Sequence, residues 1–84
     1  MMEKDYKDYW VAVEDADTCE VSEFGRADEM DVLYLMDGYR VDKRNPTTVR
    51  ERAVEGGKQV IYDGVIYRGG FGYNLWVAHR YREL

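Results

Sequence analysis

The segment 71–82 constrains this chain more than any other. Its odd positions are Phe71, Tyr73, Leu75, Val77, His79 and Tyr81; its even positions are Gly72, Asn74, Trp76, Ala78, Arg80 and Arg82. A strand sends successive side chains to opposite faces, so this alternation predicts one long strand. The odd face is apolar and should meet the core. The even face is mixed and basic.

The remaining segments are expected to build a sheet around that strand. Tyr9 to Glu14, with its aromatic and β-branched residues, reads as a strand, and a short one is expected around Cys19 to Val21. Val60-Ile61-Tyr62 and Val65-Ile66-Tyr67 flank Asp63-Gly64 and read as a hairpin, because Asp-Gly favours the two-residue turn with positive φ at both positions. Both faces of that pair are apolar, with Tyr62 and Val65 on one and Ile61 and Ile66 on the other. The linker 68–72 leads into the final strand. Eight tyrosines and eight glycines suit strands joined by tight turns.

Two segments admit two readings. Residues 28–38 form a helix if Asp28 caps it and Gly38 ends it. They form a hairpin with 39–44 if Asp37-Gly38 is the turn. The run 32–36 would leave a helix apolar on nearly every side, so the hairpin is the reading adopted. Residues 45–55 carry Asn45 as a cap, Pro46 at the first helical position, the box Thr48-x-x-Glu51 and a terminal Gly56. They are read as a short helix over 46–55. The alternative is a strand over 47–54 that returns through Gly56-Gly57. The predicted fold is thus mainly β: a small meander sheet or barrel of about five or six strands with one short helix at 46–55. The alternative is α+β with a helix at 28–37. Residues 1–84 are expected to form one domain, frayed over 1–8; the echo of Lys4-Asp5-Tyr6 in Lys7-Asp8-Tyr9 is read as chance.

Charge is divided along the chain. Residues 1–38 hold 3 Lys/Arg and 12 Asp/Glu, a net of −9, and residues 39–84 hold 9 and 5, a net of +4. An acidic surface repels nucleic acid and attracts basic partners. The residues expected to form it are Glu14, Asp15, Asp17, Glu20, Glu23, Asp28, Glu29 and Asp31.

No catalytic set is visible. The chain has one serine, Ser22, one cysteine, Cys19, and one histidine, His79. Acidic neighbours raise a thiol's pKa, which opposes reactivity. His79 is expected to be a satisfied, partly buried side chain. One Cys and one His exclude a zinc site. Asp15-x-Asp17 opens like a calcium loop, but the later ligands and the glycine are missing. No cofactor and no metal are expected. A lone cysteine, no N-terminal apolar run and no membrane-length segment point to a cytoplasmic protein.

Gly70-Phe71-Gly72-Tyr73 resembles the centre of the RNP1 motif of RNA-recognition-motif and cold-shock domains, whose strand aromatics stack on bases. The resemblance spans four residues. Gly69 stands at the basic position, Asn74 at the valine position and Trp76 at the last aromatic position, so no family follows.

The leading expectation is a non-enzymatic acidic binding protein. It would act as an inhibitor or regulator on a protein with a basic surface, such as a nucleic-acid-handling enzyme, as small acidic proteins of phages and mobile elements do by mimicking nucleic acid. The first alternative is a single-stranded nucleic-acid-binding module using Arg68, Phe71, Trp76, Arg80 and Arg82. The second is a structural or assembly subunit whose two-sided apolar hairpin, 58–68, buries itself in another chain; a homodimer is also among the expected partners.

Overall fold

A computed structural model describes residues 1–4 and 8–84. In chain order the elements are β1 (Met2–Lys4), β2 (Tyr9–Asp15), β3 (Val21–Ala27), α1 (Glu29–Gly38), β4 (Thr47–Glu55), β5 (Lys58–Arg68) and β6 (Tyr73–Glu83). The fold is mainly β, an antiparallel sheet curled into a half-barrel with one short helix. Its order is β3-β2-β6-β5-β4.

The alternating segment is the centre of that sheet. β6 pairs with β5 along one edge and with β2 along the other. Its odd residues face the core, where Leu75 and Val77 are buried with Val11 and Val13 of β2 and Val32 and Met36 of α1. Burial of these side chains contributes about 1.5–3 kcal/mol each.

The N-terminus is not frayed throughout. β6 extends beyond β2, and its last residues leave an open edge. β1 fills it, with Met2 opposite Glu83 and Lys4 opposite Tyr81. The expectation for residues 5–7, and with it most of the Lys-Asp-Tyr echo, lies outside the described residues.

The Asp63-Gly64 hairpin is overturned. β5 runs unbroken from Lys58 to Arg68, pairing with β4 on one side and β6 on the other. Gly64 has no positive φ; its role is close approach. A Cβ there would stand 2.5 Å from the Ala78 Cα and closer still to the Val77 carbonyl oxygen. Because 58–68 is one strand, Ile61, Asp63, Val65 and Tyr67 share the helix-side face. Val60, Tyr62, Gly64 and Ile66 share the other.

The helix at 46–55 is also overturned. That segment is β4, whose residues Thr47 to Glu55 pair with Ile66 to Lys58. As a helix it would bury only Val49, Ala53 and Val54. As a strand its β-branched residues lie beside an existing partner. Gly56 and Gly57, at φ +59° and +79°, supply the two positive-φ positions of the connecting turn. The outer edge of β4 carries Arg50, Glu51 and Arg52, charges that discourage edge-to-edge pairing.

The helix forms instead at Glu29–Gly38, so the Asp37-Gly38 hairpin is overturned in favour of the alternative. A reciprocal capping box starts it. The Asp31 N–H donates to Asp28 Oδ1 (2.8 Å), and the Asp28 N–H donates to Asp31 Oδ2 (3.3 Å). Two otherwise orphaned donors are thereby satisfied. Asp28→Ala should lower stability by about 1 kcal/mol, read as a shift in the urea unfolding midpoint with unchanged slope. The first strand after β2 is also longer and later than expected. Cys19 is exposed in the preceding turn at φ +62°, and the strand begins at Val21.

The sheet curls away from α1. β3 and β5 are separated by β2 and β6, a gap of about 14 Å in a flat sheet. Yet the rings of Phe24 on β3 and Tyr62 on β5 lie 6.1 Å apart. The face opposite the helix is therefore the inside of the curl.

Candidate interaction surfaces

The acidic residues fall into two groups, one at each end of β3. Asp15 ends β2, and its Oδ1 accepts the backbone N–H groups of Asp17 (2.8 Å) and Thr18 (3.1 Å). Those donors, Thr18 first, hold its carboxyl below the usual range. Glu14 accepts from Asn74 Nδ2 (3.3 Å). Asp17 and Glu20 are exposed in the same turn. Asp28, Glu29 and Asp31 stand at the opposite end of β3, about 20 Å away along a seven-residue strand. Glu23 lies in β3 between the two groups, opposite Val13.

The group at 28–31 is joined by an unexpected neighbour. α1 buries Val32 and Met36 on its inner side and leaves an apolar outer side. Met30 is 73% exposed, Leu33 49% and Tyr34 84%. Spacings of three and four residues place them on one stripe. Glu29, Asp31 and Asp37 flank it, all exposed. The all-round apolarity that spoke against a helix in the sequence is thus present in the folded helix, with half of it facing solvent.

The residues of the nucleic-acid alternative are mostly on the inside of the curl. Arg68, Trp76, Arg80 and Arg82 share that face by register. Phe71 does not; it sits in the β5–β6 turn with the Arg40 guanidinium 5.6 Å from its ring centroid. Arg80 is committed to the protein itself. Its guanidinium lies 4.7 Å from the Trp10 ring and 5.8 Å from the Tyr62 ring, and it pairs with Glu55. Glu55 also accepts from the Tyr62 hydroxyl (3.1 Å). Glu14 and Glu51 share this face too, by their pairing with Asn74 and Tyr62.

A cleft of about 320 Å³ opens between α1 and the β5–β6 pair. Glu29, Val32 and Leu33 line it from the helix, Tyr9 from β2, Asp63, Val65 and Tyr67 from β5, and Val77 and His79 from β6. Asp63 and His79 are cross-strand partners. The Tyr9 and His79 rings stand 4.9 Å apart. His79 is partly buried, as expected, and among the described residues its Nδ1 has no hydrogen-bond partner. Burial pulls its pKa below the usual value and Lys4 adds to that, while Asp63 opposes them. Burial and Lys4 thus favour the neutral ring. Asp42 also has a lowered pKa, chiefly from the Arg44 backbone N–H and the Asn45 side chain.

Ser22 and His79 do not meet. Ser22 bonds to the Val13 carbonyl, whereas His79 packs on Tyr9, four residues away along β2. Among the described residues no three His, Cys, Asp or Glu side chains converge as a metal site, and no helix is long and apolar enough to cross a membrane. The paired Asp63 and His79, and the outer stripe of α1, are the features that sequence reasoning missed. Both follow from segments read with the wrong element. No family model, no curated protein and no solved structure matches this chain.

Proposed function

We propose that this chain is a protein-binding module that docks through the outer side of α1 onto an apolar groove rimmed by Lys and Arg. The observation that carries this reading is the exposed stripe of Met30, Leu33 and Tyr34, bordered by Glu29, Asp31 and Asp37. A ten-residue helix presenting anchors at i, i+3 and i+4 is the form in which amphipathic helices enter grooves. Its acids select a basic rim and raise the encounter rate. The same acids repel phosphate backbones, so a nucleic-acid-handling protein would be engaged at the expense of its substrate. In that way docking becomes inhibition or regulation.

The experiment replaces Tyr34 with a photo-crosslinking phenylalanine derivative and irradiates it in a nuclease-treated host lysate. A discrete protein adduct is expected. It should be competed by the unmodified chain and not by a Met30→Lys/Tyr34→Lys variant, whose affinity should fall by about 2 kcal/mol or more. Both positions are exposed, so the variant should keep the wild-type unfolding midpoint. Equal competition by the variant, or partners that vanish with nuclease, would refute the reading.

A further inference from the structure

We propose that the cleft beside α1 receives a long basic side chain, lysine or arginine, from the protein that docks on the helix. The identity of the donor rests on the docking reading above, but the chemistry of the cleft can be tested without any partner. The two surfaces are continuous, because Leu33 belongs both to the outer stripe and to the cleft wall.

The lining matches both parts of such a side chain. Val32, Leu33, Val65 and Val77 offer apolar walls for a methylene stem. Asp63 and Glu29 supply carboxylates for the charged head, and the rings of Tyr9 and Tyr67 can face a cation. Among the described residues no Lys or Arg lines the cleft. Two cations among the described residues stand near it. Lys4 on β1 is close enough to act on His79, and Arg50 on β4 is the cross-strand partner of Asp63. His79 adds an imidazole ring whose neutral form burial favours. A volume of about 320 Å³ exceeds what one side chain fills and lies near the lower end for small-ligand clefts. The surplus leaves space for the backbone that carries the inserted residue.

The test titrates the folded chain with N-acetyl-lysine N-methylamide and follows backbone amide signals by NMR. The neutral norleucine analogue, which keeps most of the stem and lacks the ammonium, is the control. Shifts are expected at Asp63, Val65, Val77 and His79 with the lysine probe only. Asp63→Asn should weaken the lysine probe about ten-fold. Glu29→Gln, at an exposed first-turn position, should weaken it several-fold without touching the sheet. Equal shifts from both probes, or unchanged affinity in both variants, would overturn the proposal. If the lysine probe binds and the Met30→Lys/Tyr34→Lys variant still competes for the crosslinked partner, the docking reading fails and the cleft stands.

Discussion

Gly64→Ala is expected to cost the fold about 3 kcal/mol or more, at the upper end for overpacking. β5 is the second strand from the β4 edge, and Gly64 sits midway along it, between Val49 of β4 and Ala78 of β6. An added Cβ would lie 2.9 Å from the Val77 carbonyl carbon and 2.5 Å from the Ala78 Cα. Both are backbone atoms of the central strand, so neither can move aside as a side chain would. Relief requires β5 and β6 to separate, which breaks ladder bonds and opens the curl. Gly25 is the matched control. It also lies within a strand, but an added Cβ there meets no atom within 4 Å. Gly25→Ala should leave stability unchanged or raise it by a few tenths of a kcal/mol, through the unfolded chain. Urea unfolding midpoints for the two variants check the contrast. A wild-type midpoint for Gly64→Ala would mean that the close approach is not a feature of the folded sheet.

The same glycine explains how much of the fold the sequence discloses. Asp63-Gly64 carries a strong local turn signal, and the signal is misleading because a second cause for glycine, close approach of a neighbouring strand, leaves the same letter. Nothing local distinguishes the two. β6 is legible because its alternation runs for eleven residues and demands a partner on each side. β4 is ambiguous for the opposite reason: Asn45-Pro46, Thr48-x-x-Glu51 and Gly56 are local helix signals, and they outweigh the strand over 47–54 that stands beside them as the alternative. The competing gain, a nine-residue ladder with β5, comes from residues later in the chain. At 28–38 the capping signal is present in Asp28, and the run 32–36, which leaves a helix apolar on nearly every side, opposes it. That opposition holds only where an exposed apolar stripe is avoided. An interaction surface is the common exception, which is why the element misread there is also the candidate docking site. The cleft was hidden by inheritance. Asp63 and His79 become neighbours only through a register that a turn at Asp63-Gly64 would have destroyed.

Arg80→Met is expected to cost about 2–3 kcal/mol, and the loss should trace to one four-membered cluster on the inside of the curl. Arg80 is only 15% exposed, and its charge is compensated by Glu55, which is 42% exposed. The guanidinium lies over Trp10 of β2 and beside Tyr62 of β5, while Glu55, which ends β4, bonds both Arg80 and Tyr62. Four strands thus meet at one cation. A partly desolvated cation facing an aromatic ring contributes about 1–2 kcal/mol, and the charge-assisted pair adds a comparable amount after desolvation. Methionine keeps much of the stem and its packing, so the loss reports the charge rather than a cavity. Glu55 is exposed enough to regain water when its partner is removed. Glu55→Gln alone should therefore cost less, about 1 kcal/mol, and the Arg80→Met/Glu55→Gln double variant should fall short of the sum by about 1 kcal/mol. Arg80→Lys should not restore the wild type, because an ammonium lacks the flat face that lies against Trp10 and the fork that meets Glu55. The cycle is read from urea midpoints at low and high salt. An additive double variant would dissolve the pair. A loss for Arg80→Met that disappears in high salt would mark the guanidinium as an ordinary surface charge, leaving Arg80 free to serve the nucleic-acid alternative that its place in this cluster now opposes.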